Sequence, residues 1–247
     1  MSGTEWFARA RRVTVLTGAG VSTESGIPDF RGPHGLWTKN PAAQRMFSID
    51  EYVADPDLRI QAWQARREHA AWTAEPNSAH RALVDLERTG RLRAIVTQNI
   101  DGLHQRAGSS ADLVIEIHGT IHEVVCLACG DRTSMRSALQ RVADGEPDPP
   151  CLVCGGLLKS ATIAFGQSLD AGVHRASVAA ARDCDVFLTA GTSLQVQPAA
   201  SLCEVAVAHG ARLVICNAEP TPYDELADAV IRERVGQALP ELISASV

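Results

Sequence analysis

Three groups of residues in this chain have the types and spacing to do chemistry. The first lies in the run VTVLTGAGVSTESGIPDFRG over residues 13–32. A β-branched apolar stretch, Val13–Thr17, stops at Gly18-Ala19-Gly20, and a short segment with helical potential follows. Strand, glycine turn and helix start together build a phosphate site. Glycine lets the backbone approach the anion, and the first free N–H groups point at it with the positive end of the helix dipole. Pro28 is expected to cut that helix after about two turns, because proline has no N–H to give and restricts Ile27 before it. Asp29-Phe30-Arg31 then sets an acid, an aromatic and a base in a loop beside the phosphate position.

The second group is Cys126-x2-Cys129 and Cys151-x2-Cys154, with 21 residues between the pairs. Each CxxC makes a tight knuckle that aims two sulfurs inward, and two knuckles complete a tetrahedron for zinc. Four thiolates saturate the metal, so a zinc here is structural. Two disulfides are the competing reading, and the absence of an export signal argues against them. The third group is polar residues placed where apolar runs end: Gln98-Asn99-Ile100-Asp101, His118-Gly119, Gly166-Gln167, Gly191-Thr192-Ser193 and Asn217-Ala218-Glu219. Any one of these is ordinary loop polarity, but together with Gly18–Gly20 every run ends this way. His118 after Ile115-Glu116-Ile117 reads either as a half-buried structural imidazole or as a general base with a near-neutral pKa.

The elements that would position these groups are legible as apolar, β-rich runs at Val13–Thr17, Leu92–Thr97, Leu113–Ile117, Thr162–Phe165, Val186–Thr189 and Leu213–Cys216. Nearly continuous apolar strands are those covered on both faces. Asn77 can cap a helix over Ser78–Arg88, and Ala199–His209 reads as another that ends at Gly210. Residues 183–217 are then a βαβ unit, and the fold class is α/β, a Rossmann-type doubly wound parallel sheet. Ligands in such sheets bind outside the carboxyl ends of the strands. Ranges 1–32, 91–122 and 158–247 are assigned to this sheet domain. Residues 33–90 form a helical module and 123–157 a zinc-binding module, together making a smaller domain.

The 247 residues are 45% hydrophobic and 21% charged, an ordinary globular composition. The net charge of −6 gives no electrostatic reason to expect nucleic acid or an anionic membrane as partner. No run of about 18 apolar residues and no signal-peptide core is seen, so a cytoplasmic location is expected. Cys184, Cys203 and Cys216 sit in apolar stretches as packing residues.

In order, GAGVSTESGIPDFRG (18–32), TQNIDGLH (97–104), HG (118–119), the two CxxC pairs, FG (165–166), GTSL (191–194) and the strand ending at Asn217 resemble the sirtuins over nearly the whole chain. The resemblance implies an NAD-dependent protein lysine deacylase, with NAD consumed as co-substrate, one structural zinc, and acyl-lysine proteins or peptides as partners. It implies that Gly18, Ala19 and Gly20 line the diphosphate site, while Gly191, Thr192 and Ser193 contact phosphate and ribose. Asn217, Glu219 and Ala238 would hold the adenosine end. Asp29, Phe30 and Arg31 would cover the nicotinamide ribose, with Gln98, Asn99 and Asp101 around it. His118, with Asn99 and Asp101, would be catalytic. The expected products are nicotinamide, free lysine and 2′-O-acyl-ADP-ribose, and a monomer is expected. Phe165 and Gly166 would touch the acyl-lysine substrate. Trp63 and Arg66 align with a Tyr-x-x-Arg pair that marks relatives preferring acidic acyl groups. Arg66 can pair with a carboxylate, but Trp63 lacks the phenol oxygen, and both also read as core or helix-surface residues. Gln167 stands where many relatives carry glutamate.

Competing readings are ADP-ribosyl transfer from the same NAD site, hydride transfer on a Rossmann sheet, and a zinc-ribbon binding module. Gly18-x-Gly20 followed only at Gly26 departs from the hydride-enzyme fingerprint GxGxxG.

Overall fold

The computed structural model describes residues 7–33 and 35–244. Residues 1–6, His34 and 245–247, which the domain ranges above include, lie outside the described residues.

Six parallel strands form one sheet: β1 (Val13–Thr17), β2 (Leu92–Thr97), β3 (Val114–Glu116), β7 (Val186–Ala190), β8 (Arg212–Cys216) and β9 (Ala229–Ile231), in the order β3-β2-β1-β7-β8-β9. Strand β1 is central and buried along its whole length. Its alternation feeds two cores. Val13 and Val15 face the helices α4 (Ser78–Arg88) and α9 (Val235–Ser244), while Leu16 faces α7 (Ala171–Arg182) and α8 (Leu202–Ala208). Thr14 points with Leu16 and satisfies its hydroxyl on the Ala180 carbonyl at 2.8 Å. The sheet is therefore doubly wound, as expected. Asn77 closes α4 in a capping box with His80, an arrangement that contributes about 1 kcal/mol.

A second sheet is antiparallel, β5 (Arg132–Ser134), β4 (Gly119–Cys126) and β6 (Leu158–Thr162), with α6 (Met135–Ala143) packed on it. The helices before α4 are α1 (Leu36–Lys39), α2 (Ile49–Ala54) and α3 (Pro56–Arg67), and α5 (Leu103–Ala107) follows β2. Three anchors tie α2 and α3 to the small sheet and its connections: Tyr52 donates to the Leu158 carbonyl at 2.8 Å, Arg59 pairs with Asp148 at 2.7 Å, and Trp63 Nε1 donates to Asp148 at 3.2 Å.

Four expectations need correction. The strand placed at Thr162–Phe165 lies earlier, at Leu158–Thr162, and belongs to the small sheet. Its polar residues are turned inward and satisfied there, Lys159 by the Ser160 and Thr162 carbonyls. The segment after Gly18 forms two 3-10 turns, Ala19–Val21 and Thr23–Ser25. They are stopped by Gly26 in the left-handed region (φ 86°), before Pro28 is reached. The helix expected over Ala199–His209 is confined to Leu202–Ala208. Strands β4 and β9 and helix α9 were not expected, because their apolar residues are too irregularly spaced to declare a period.

Candidate functional site

Strands β1 and β7 are hydrogen-bonded neighbours with Thr17 opposite Ala190, so the turns that follow them meet. The Gly18 N–H donates to the Ala190 carbonyl (3.0 Å), and the Gly20 N–H donates to the Gly191 carbonyl (2.8 Å). A Cβ on Gly20 would stand 2.8 Å from the Gly191 Cα, and one on Gly191 would stand 2.5 Å from the Val21 nitrogen. Gly191 also has φ +59°. The glycines are needed first because two backbone turns interlock. The interlocked turns stand at the sheet's carboxyl edge, where open parallel sheets hold ligands, and form the candidate cradle.

Beside this cradle the residues after β2 form a buried hydrogen-bonded set. Gln98 Nε2 donates to Thr192 Oγ1 at 2.9 Å, joining the β2 and β7 loops. Asn99 donates to the Gly18 carbonyl (3.0 Å) and to Ser22 Oγ (3.1 Å), and Ser22 donates to Asp101 Oδ2 (2.7 Å). Asp101 Oδ1 accepts the Leu103 N–H at 2.9 Å, starting α5. From β4, His122 Nε2 reaches the Asp101 carbonyl at 2.9 Å. Beneath lies a second layer, Thr97–Thr17–His104, linked at 2.8 and 3.0 Å, with Thr97 Oγ1 accepting the Asn99 N–H. Sequence reasoning missed Ser22, Thr17, Thr97 and His122. His104 is buried.

His118 lies in the turn between β3 and β4 and sits 3.2 Å from the Gln98 carbonyl through Nδ1. A carbonyl only accepts, so Nδ1 carries the proton and Nε2 is left as a bare acceptor. Burial holds its pKa below the ordinary histidine value, partly offset by that hydrogen bond, so the ring is neutral at neutral pH.

The loop 29–31 folds on itself: Asp29 Oδ1 accepts the Gly32 N–H (2.9 Å), and the Phe30 carbonyl accepts the Trp37 N–H (2.9 Å). Phe30 packs on Trp37 with ring centroids 4.8 Å apart, and the Arg31 guanidinium lies 4.5 Å from the Trp37 ring centre. Phe165, half exposed, completes an aromatic wall around a cavity of about 450 Å3. Gly166 turns at φ 88°, and Gln167 Oε1 accepts the Ala164 N–H at 2.9 Å, so the glutamine braces its own loop. Asn217 ends β8 and donates to the Glu219 carbonyl at 2.8 Å, while Arg232 bonds both backbone carbonyls.

Two expected ligand residues offer no surface. Ala238 is buried in the core on α9, and its N–H is spent on the Arg234 carbonyl. Trp63 is wholly buried among Val124, Cys126 and Met135. Its indole fills the small-domain core, the second of the two readings the sequence allowed. Arg66, one turn on, donates to Ser160 Oγ at 3.0 Å and stacks over Tyr52 and Trp63, while its Nη1 is buried without a partner.

The four cysteine sulfurs lie within 4.8 Å of one another, with Cys126–Cys154 at 3.5 Å and Cys129–Cys151 at 3.8 Å. These gaps exclude disulfides, whose sulfurs sit about 2 Å apart. They match the edges of a tetrahedron of about 2.3 Å zinc–sulfur bonds. The Ala128 and Val153 N–H groups donate to Cys126 and Cys151, each at 3.4 Å. The donor set fits zinc.

Among curated proteins, the chain is 57% identical over 231 residues to NAD-dependent protein deacetylase 2 of Streptomyces coelicolor, covering 94% of this chain and 96% of that one. It is 43% identical to NAD-dependent protein deacetylase 1 of Geobacillus kaustophilus, covering 98% and 96%. A solved Sir2 protein bound to a propionylated peptide superposes with a TM-score of 0.86 at 32% identity, covering 99% of this chain and 98% of that chain. The profile of the Sir2 family matches residues 18–198. With this sheet, the paired glycine turns and the four-cysteine cluster, the chain belongs to the Sir2 family.

Proposed function

We propose that the protein is an NAD-dependent protein lysine deacylase that moves the acyl group to ADP-ribose and releases nicotinamide. The observation that carries the chemistry is His118. Its Nδ1 is spent on the Gln98 carbonyl, and its Nε2 stays unprotonated beside the Gln98–Asn99–Asp101 loop. In this reading Gly18–Gly20 and Gly191–Ser193 hold the diphosphate, Asn217 and Glu219 lie at the adenosine end, and Asp29, Phe30 and Arg31 cover the nicotinamide ribose. Phe165 and Gly166 flank the acyl-lysine. Asn99, fixed by Gly18 and Ser22, orients the ribose and carboxamide, and Asp101 fixes Ser22 in turn.

The substrate's amide oxygen attacks the ribose carbon as nicotinamide leaves. The site therefore supplies position and dryness rather than a nucleophile. His118 Nε2 then takes the proton of a ribose hydroxyl, whose oxygen adds to the acyl carbon; the acyl C–N bond breaks, the lysine amine leaves with a proton, and water completes O-acyl-ADP-ribose. The zinc holds the small domain together and takes no part in these steps. The acyl-lysine proteins or peptides are the macromolecular partner. We further assign the protein as a monomer working in the cytoplasm, and we take α1–α3 and residues 123–157 as its small domain, with α4 packed on the parallel sheet instead.

Nicotinamide should appear only when NAD and an acyl-lysine peptide are both present, together with O-acyl-ADP-ribose. His118→Ala should lower turnover by about 100-fold or more. Because burial depresses the His118 pKa, the acid limb of kcat/KM should fall at a pH below the ordinary value of about 6.5. Peptide-independent NAD consumption would point to ADP-ribosyl transfer or NAD hydrolysis instead.

A further inference from the structure

A second hollow opens off the loop that carries Thr192. It has a volume of about 650 Å3 and lies between the 194–197 turn, α8 and the segment after β8. Leu194 stands in its wall at φ 53°, the one non-glycine residue in the left-handed region among the described residues, and its N–H bonds Thr192 Oγ1 at 3.3 Å. Thr192 is the residue gripped by Gln98 beside the cradle. The hollow and the cradle thus share one loop.

Its lining is uneven in charge. Glu204, in the first turn of α8, and Glu225 are both exposed at its rim, and no lysine or arginine lines it. Asp224, beside Glu225, is already engaged by Arg232 and Thr221. Pro222 and Leu226 supply apolar surface, Leu226 being 40% exposed, and Leu194 backs them from the core. Tyr223, whose hydroxyl accepts from Gln197 at 3.3 Å, makes an aromatic side. Burial, with the Glu204 carboxylate nearby, keeps that phenol protonated well past neutrality. An apolar floor under two carboxylates is the complement of one side-chain type: an aliphatic stem ending in a cation.

We propose that this hollow receives a lysine or arginine of the substrate protein, a few residues from the acyl-lysine, and so selects acylation sites in basic surroundings. The proposal rests on the deacylase reading only for the source of the cation. The 192–194 loop that carries both Thr192 and Leu194 sets the hollow beside the cradle.

Acetyl-lysine peptides carrying a single arginine, glutamate or alanine at each position within three residues of the acetyl-lysine provide the test. Both kcat/KM and NAD-free binding by fluorescence anisotropy are read. At one position arginine should be preferred over glutamate by about tenfold at low ionic strength, as expected for two exposed carboxylates, and the preference should shrink in about 0.5 M salt. The double variant Glu204→Gln, Glu225→Gln should lose that preference while turning over the alanine peptide at the wild-type rate. Glu225→Lys should favour the glutamate peptide. Equal use of arginine and glutamate peptides by the wild type overturns the proposal, as does a preference that survives the double substitution. Charge-selective binding with no deacylation would leave the hollow assigned and the deacylase reading refuted, so the two failures are distinct.

Discussion

At Arg66 a guanidinium is stacked between Tyr52 and Trp63, with one nitrogen on Ser160 and the other buried without a partner. A buried, unsatisfied donor of this kind costs about 1–3 kcal/mol unless something accepts from it. A carboxylate on the acyl chain would be such an acceptor. Arg66→Met should therefore lower kcat/KM for a succinyl-lysine peptide by about 10–100-fold and leave the acetyl peptide within about twofold. Equal losses on both peptides would make Arg66 a packing residue. At this scale, residues announced by position were readable. Gln98, Asn99, Asp101 and His118 follow buried strands, where a polar side chain has few reasons to stand. Ser22 was not readable, because it lies in Ser-Thr-Glu-Ser and nothing in the spacing tells which hydroxyl turns inward to Asp101. The glycines were found for an incomplete reason: Gly20 and Gly191 accommodate each other before they accommodate any ligand.

Among the elements, the zinc module depends on the two knuckles being drawn to one point. Cys126 ends β4, while Cys151 and Cys154 belong to the connection between α6 and β6, so the metal would clamp that connection to β4. Stripping zinc with a chelator should lower stability by at least about 2 kcal/mol and abolish turnover, and Cys151→Ser should do the same, with metal content falling from one per chain. An unchanged melting curve after complete zinc removal would refute the structural role. The parallel strands β1, β2, β7 and β8 were legible because burial on both faces leaves an unbroken apolar run. Strand β6 was misplaced because Lys159 and Ser160 are buried yet polar, satisfied by local carbonyls and by Thr162 and Arg66, a state that a pattern of apolar residues does not register.

For the molecule as a whole, two buried histidines set how acid is tolerated. Burial drives His104 down to about 3 and His80 to about 4, with ring centres 4.9 Å apart. Folded-state values below the unfolded value of about 6.5 mean that the unfolded chain binds more protons across that window, so stability is lost as pH falls from 6.5 toward 4. The melting temperature should drop by roughly 5 °C or more over that range, and His104→Asn should flatten the slope even if it lowers the starting value. A slope unchanged by the substitution would place the acid sensitivity elsewhere. The interlocked turns carry a consequence for how the protein is made. Gly20 is translated early and its partner Gly191 late, so at about 5–20 residues per second one half of the cradle waits roughly 10–35 s for the other. Until β7 has emerged and docked beside β1, the paired turns do not exist, and a ligand that needs both of them cannot guide the early stages of folding.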